Sequence, residues 1–171
     1  LMVSSLPDDG WLTAQSAGPT MLHPSLEVRP VVTGLIQPST MAFIGNNDLL
    51  VLEKSTGRVQ RIVNGALQST VLDLAVNFGS ERGLLGIALH PDFPDNPSVY
   101  LYWTESSTGA DTNVLDNTPL LGNRVDRFTW DGSALSLDVN LIMLRALQPR
   151  FAGEPSPVTG RGNHDGGVVA V

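Results

Sequence analysis

Short apolar runs, split by Gly, Pro, Asn and Asp, recur along the chain in two matching series. The first comprises Thr40-Met41-Ala42-Phe43, Leu49-Leu50-Val51-Leu52-Glu53, Arg58-Val59-Gln60-Arg61-Ile62 and Leu67 to Leu74. The second comprises Leu85-Gly86-Ile87-Ala88-Leu89, Val99-Tyr100-Leu101-Tyr102-Trp103, Arg124-Val125-Asp126-Arg127-Phe128 and Leu135 to Leu144. In both, the third run reads Arg-Val-x-Arg and then an apolar residue. Runs this short, bounded by turn formers, read as strands, and four of them repeated as a unit read as one four-stranded antiparallel blade of a β-propeller. The expected fold class is therefore all-β, with blade 1 over 38–75, blade 2 over 84–147 and the start of a third blade over 164–171, where Gly166-Gly167-Val168-Val169-Ala170 opens a further run.

Residues 1–25, with Pro7-Asp8-Asp9-Gly10 and Gly18-Pro19, read as an irregular leader. Leu26 to Val32 reads as an isolated strand and is a candidate for the one that closes a propeller ring. Two units and a fragment cannot form a ring, since about four blades is the minimum. Residues 26–171 are thus expected to be an incomplete propeller domain, and the rest of the propeller is an expected partner. In such blades the B-to-C loops and the loops from D to the next A share one face. Here these are the long segments Ala75 to Gly83, Glu105 to Gly122 and Gln148 to Asp165, whereas Gly45-Asn46-Asn47-Asp48 and Asp131-Gly132-Ser133 on the other face are tight turns. Function concentrates on loops held by a rigid scaffold, so the long-loop face is where chemistry is sought.

Composition narrows the class. With 171 residues, 42% hydrophobic and 16% charged, the chain can bury a sizeable core. A net charge of -7 with only 10 Lys plus Arg argues against nucleic acid or an anionic membrane as partner, because phosphate binding needs clustered cations. No apolar run approaches the roughly 20 residues needed to span a bilayer. There is no cysteine, hence no disulfide or thiolate metal site, which suits an exported bacterial protein as well as a cytosolic one.

Two polar groups precede inner strands on the long-loop face: Glu81 in Gly79-Ser80-Glu81-Arg82-Gly83, and His164 in Gly162-Asn163-His164-Asp165-Gly166-Gly167. Equivalent places in consecutive blades would bring both to the channel mouth. An imidazole there suits a general base, and the adjacent glycines Gly166 and Gly167 allow a flat ligand close to the backbone. The plain alternatives are a turn entering a strand with a solvated histidine, and a surface ion pair or cap at Glu81-Arg82. His90-Pro91-Asp92-Phe93-Pro94-Asp95-Asn96 reads as a structural corner, since no second histidine stands at ligand spacing. No metal ligand is assigned. Gly160-Arg161-Gly162 lacks the spacing of a dinucleotide fingerprint, and no phosphate loop, His-Glu-x-x-His or nucleophile elbow is present. Tyr100, Tyr102 and Trp103 read as core.

Glu81-Arg82-Gly83-Leu84-Leu85-Gly86-Ile87-Ala88-Leu89-His90-Pro91-Asp92-Phe93, followed by Val99-Tyr100-Leu101-Tyr102, resembles the soluble quinoprotein glucose/sorbosone dehydrogenase family, including the aldose sugar dehydrogenases. Gly34-Leu35 with Pro38, Asn123-Arg124-Val125-Asp126-Arg127-Phe128 and His164-x-Gly166-Gly167 add to the resemblance, which covers most of 26–171. It implies a six-bladed propeller that binds pyrroloquinoline quinone (PQQ) and calcium and oxidises a sugar at its anomeric carbon. It further implies His164 as the base, Asn163 near cofactor or substrate, and Glu81 where glucose dehydrogenases carry a glutamine facing the sugar. A carboxylate at 81 departs from that pattern and bears on substrate preference, because it only accepts hydrogen bonds when ionised. The Arg and Lys contacts to the quinone and the calcium-binding carbonyls are implied to come from later blades, so the chain alone is expected to be inactive. A periplasmic or secreted bacterial location is also implied.

Two other readings stand beside this one. A non-catalytic binding propeller of the hedgehog-interacting type would be rich in cysteine, which this chain lacks. A calcium-dependent lactonase-type propeller would place several Asp, Asn and Glu at inner-strand starts, and Glu81, Asn163 and Asp165 leave room for it.

Overall fold

The computed structural model describes residues 22–114, 122–144 and 166–171. The chain divides into two units, 1–31 and 32–171. In the first, residues 22–31 form turns and irregular chain, with the Leu26 amide donating to the His23 carbonyl at 3.1 Å. The strand expected over Leu26–Val32 is not formed. A strand exists only through its ladder, and these residues pair with none among those described.

The second unit contains two four-stranded antiparallel sheets, each a simple meander. One is β1 (Pro38–Gly45), β2 (Asp48–Glu53), β3 (Arg58–Val63) and β4 (Ala66–Asp73); the other is β5 (Leu84–Leu89), β6 (Ser98–Glu105), β7 (Gly122–Trp130) and β8 (Leu135–Leu144). These are two propeller blades. Leu49-Leu50-Val51-Leu52 is a continuous apolar run because both faces of β2 are buried, whereas β8 is exposed from Ser136 to Leu144. Tight turns join β1 to β2, β3 to β4 and β7 to β8 on one rim, where the longer 90–97 segment joins β5 to β6. Asn64-Gly65 supplies two consecutive positive φ angles, 50° and 78°, which is the geometry that suits the right-handed twist of a hairpin.

The repeat extends to irregularities of pairing. In blade 1 the β3–β4 register shifts between Val59 and Gln60 and again between Arg61 and Ile62. In blade 2 the β7–β8 register shifts between Val125 and Asp126 and between Arg127 and Phe128, the same places in the Arg-Val-x-Arg run. Bulges increase local twist, and paired bulges at equivalent places give the two outer hairpins the same shape.

The blades pack face to face. Leu50, Leu52 and Val59 of blade 1 meet Leu84, Leu101 and Phe128 of blade 2 in one apolar cluster, all essentially inaccessible to solvent. Burying a side chain of that size contributes about 1.5–3 kcal/mol, which makes this layer the main bond between the blades. At the tight-turn rim Arg61 lies 5.3 Å over the Trp130 ring and donates to the Gly132 carbonyl at 2.9 Å. The outer face of blade 1 carries a smaller cluster of Leu49, Val51 and Ile62 under Val32 and Leu35.

Residues 166–171 are not in a strand, although the sequence predicts the opening of a third blade there. They nevertheless run beside β5: a Cβ on Gly86 would overlap the Gly167 carbonyl, and one on Gly167 would lie 3.1 Å from Leu85 Cβ. Among the described residues they have no ladder partner.

Candidate functional site

The other rim gathers the β2–β3 turn, the β4–β5 loop and the start of the β6–β7 loop. Backbone bonds weld the last two together: the Asn77 amide donates to the Thr104 carbonyl (2.9 Å), the Phe78 amide to Thr112 (2.8 Å) and the Ser106 amide to Ala75 (2.9 Å). Asn77 is fully buried, and its side chain donates to the Val114 carbonyl (3.0 Å) while accepting from the Gly79 amide (3.1 Å). Asp111 accepts the Val76 amide at 3.0 Å. A loop pinned at this many points can present a side chain in one place.

Within this loop Glu81 is exposed and Arg82 is wholly buried. The two neighbours, expected as a surface ion pair or cap, thus differ in burial, with Glu81 at the surface and Arg82 inside the protein. Burying a cation is costly, so an arginine at this depth needs polar partners inside the protein. The Ser80 backbone just before them is left-handed (φ 56°), and Gly83 just after has φ 133°. At Gly83 a Cβ would overlap the Lys54 carbonyl, so only glycine fits where the loop enters β5.

His164 and Asn163 lie outside the described residues. Gly166 and Gly167 line a cleft of about 400 Å3 together with Ser39 and Thr40 of β1 and Leu85, Gly86 and Ile87 of β5. The cleft follows the inner strands, where Ser39 Oγ bridges the blades by donating to the Leu84 carbonyl at 2.8 Å. Glu81 is not among its lining residues. At the corner, the Asp92 amide donates to His90 Nδ1 at 3.1 Å, which is what a turn histidine does.

Sequence reasoning passed over Lys54 and Glu53 beside it. Glu53 is buried at the rim end of β2, and its carboxylate accepts from the Ile36 amide (2.8 Å), Thr56 Oγ1 (2.7 Å) and Gln60 Nε2 (3.4 Å). Lys54 Nζ donates to the Ser80 carbonyl (2.7 Å) and the Phe78 carbonyl (3.3 Å). Both lie next to Ser55-Thr56-Gly57, a stretch that reads as an ordinary polar turn, and no periodicity marks them.

The fit of a quinone and calcium to these residues is limited. Glycines at 86, 166 and 167 leave room for a flat group against the backbone. Among the described residues Lys54 donates to carbonyls, Arg82 is buried, and no group of three or more His, Cys, Asp or Glu converges.

Residues 35–133, from just before β1 to just after β7, match the family described as Glucose / Sorbosone dehydrogenase. The chain belongs to that family. It is 31% identical over 124 residues to the uncharacterized protein slr1608 of Synechocystis, covering 67% of this chain and 27% of that protein. It is 24% identical over 127 residues to quinoprotein glucose dehydrogenase B of Acinetobacter calcoaceticus, covering 72% and 26%. Among solved structures it is similar to one from Thermus thermophilus assigned as an oxidoreductase (glucose dehydrogenase), with 34% identity, a TM-score of 0.60, and 82% of this chain aligned to 36% of that one. A PQQ-bound aldose sugar dehydrogenase from Streptomyces coelicolor aligns at 28% identity and a TM-score of 0.48, covering 68% and 34%. The chain thus spans about a quarter to a third of the length of these relatives. Among the described residues no helix is long and apolar enough to cross a membrane.

Proposed function

We propose that this member of the glucose/sorbosone dehydrogenase family is part of a quinoprotein sugar dehydrogenase. It would oxidise the anomeric carbon of an aldose, with PQQ, when bound, supplying the hydride acceptor and His164 taking the hydroxyl proton. The family match across 35–133 carries the reading, because that span includes the whole Glu81–Phe93 stretch and the rim that displays Glu81.

In this reading His164 Nε2 or Nδ1 takes the proton in its neutral form, which an imidazole holds near neutral pH. Glu81, exposed on a pinned loop, accepts hydrogen bonds from sugar hydroxyls, while Asn163, Gly166 and Gly167 lie near cofactor or substrate. Calcium accompanies the quinone. The residues that hold both groups come from outside the two blades, so the 171-residue chain is inactive alone. The remaining blades cover the open faces, and an exported location, periplasmic or secreted, goes with the reading.

The test is dye reduction by the full-length protein loaded with PQQ and calcium, across a panel of aldoses, against His164→Ala. Loss of a general base lowers kcat by about 10²–10⁴-fold. An unchanged rate in His164→Ala removes the proposed base, and no sugar oxidation by the unsubstituted protein removes the function.

A further inference from the structure

Lys54 holds three pieces of the rim at once. Its amide donates to the Gln37 carbonyl (2.9 Å) ahead of β1, its carbonyl accepts the Leu84 amide (3.1 Å) at the start of β5, and its ammonium reaches the carbonyls of Phe78 and Ser80. The bond to Ser80 is the shorter, at 2.7 Å. That carbonyl belongs to the peptide group joining Ser80 to Glu81, so the ammonium grips the plane from which the Glu81 side chain departs. Ser80 is also left-handed, a conformation that few non-glycine residues adopt and that surrounding bonds must sustain.

The far end of the turn is fixed by the same residue. Gly83 packs against the Lys54 backbone so closely that a Cβ would strike its carbonyl, the Thr104 amide donates to the Gly83 carbonyl (2.9 Å), and the Arg82 amide to Gly79 (3.2 Å). A lysine suits this task because its ammonium is a compact charge with three rotatable donors, able to satisfy two carbonyls in different planes.

We propose that Lys54 is a positioning residue: it fixes the Phe78–Gly83 turn and through it sets how tightly Glu81 engages the sugar. This rests on the sugar dehydrogenase reading above. Lys54 donates to the Phe78 and Ser80 carbonyls, and acts through the peptide that carries Glu81.

The test compares Lys54→Met, which keeps the length and removes the donors, with Lys54→Arg, in the full-length protein loaded with PQQ and calcium. Amide hydrogen exchange over 79–84 is read beside KM and kcat for aldoses. In Lys54→Met, exchange over 79–84 rises about tenfold, exchange over β7 stays unchanged, and KM rises about tenfold with kcat within about twofold; Lys54→Arg recovers most of both. Unchanged exchange over 79–84 overturns the proposal. So does raised exchange with unchanged KM, which would make the clamp purely structural. If Lys54→Met does not fold, Lys54→Gln, which shortens the side chain and removes its charge, takes its place, with the same rises expected and the same null results fatal. Inactivity of the unsubstituted protein is a separate result: it sinks the dehydrogenase reading, while the exchange comparison needs no substrate.

Discussion

Replacing Asp126 by alanine tests whether the second blade is held by a buried ionic network. The Asp126 carboxylate is wholly buried and accepts from Trp103 Nε1 (2.7 Å), Asn140 Nδ2 (2.6 Å) and Arg124 Nη2 (3.1 Å). Arg124 Nε lies 2.9 Å from the other oxygen, an ion-pair contact without hydrogen-bond geometry. Arg124 also pairs with Glu105 at 2.8 Å and lies 5.0 Å over the Trp103 ring. Burial alone would lower the Arg124 pKa, but the bonds to Glu105 and Asp126 outweigh it and raise the pKa, so the guanidinium stays charged. Truncation leaves a buried indole N–H without its acceptor and a mostly buried guanidinium with one carboxylate instead of two. Losing one partner of a fully buried pair costs about 3–5 kcal/mol, and the surviving Glu105 contact places Asp126→Ala at the low end, about 3 kcal/mol. Asp126→Asn keeps an acceptor for the indole and costs about half as much. Urea unfolding of the full-length protein, with the midpoint shift multiplied by the slope, reads both values. A loss below about 1 kcal/mol for Asp126→Ala would refute the network as a stabilising element.

Gly86→Ala should push Gly166–Val169 away from β5, because its Cβ would overlap the Gly167 carbonyl and press on Tyr102 Cβ at 3.2 Å; about 1–3 kcal/mol of stability is lost, and sugar turnover with it, whereas a variant with wild-type melting and turnover would contradict the packing. Asp131 holds its carboxyl below the usual carboxylate value through the Ala134 amide, then the Ser133 amide and hydroxyl. Its contribution is therefore full above the unfolded-chain pKa, fades as pH falls and is gone below the folded value, and a carboxyl NMR titration placing Asp131 at or above the ordinary value would contradict this.

The blades were legible because each strand is a short apolar run between turn formers, and the two Arg-Val-x-Arg runs fall on β3 and β7 with bulges at the same places. Leu26–Val32 and Gly166–Val171 have the same apolar character but no ladder in the described residues, since strand formation depends on a partner that local sequence cannot supply. Glu81 was expected on the rim from its position before β5, and it is exposed in the β4–β5 loop. The burial of Arg82 could not be expected, because a loop has no periodicity to separate inward from outward residues. Lys54 and Glu53 escaped for a related reason: their partners, the Ser80 carbonyl and the Ile36 amide, are backbone groups, and backbone groups leave no mark in sequence.

Buried polar groups show how the two ends of the blade pair differ. Glu53, Asn77, Arg82, Thr104 and Asn123 all lie where strands meet the long-loop rim, and Thr104 Oγ1 donates to Asn123 Oδ1 at 2.6 Å. The tight-turn rim is held instead by contacts nearer the surface, with the Arg61–Asp48 pair partly exposed and Asp131 bonded within its own turn. Apolar packing would stabilise the long-loop rim as well, since a buried polar group gains little over a hydrophobic residue of the same shape. Hydrogen bonds add direction: each fixes an angle as well as a distance, and a satisfied network resists the small slips that apolar surfaces permit. A rim built this way trades stability for position, which is what a scaffold needs if Glu81 is to meet a sugar in one orientation.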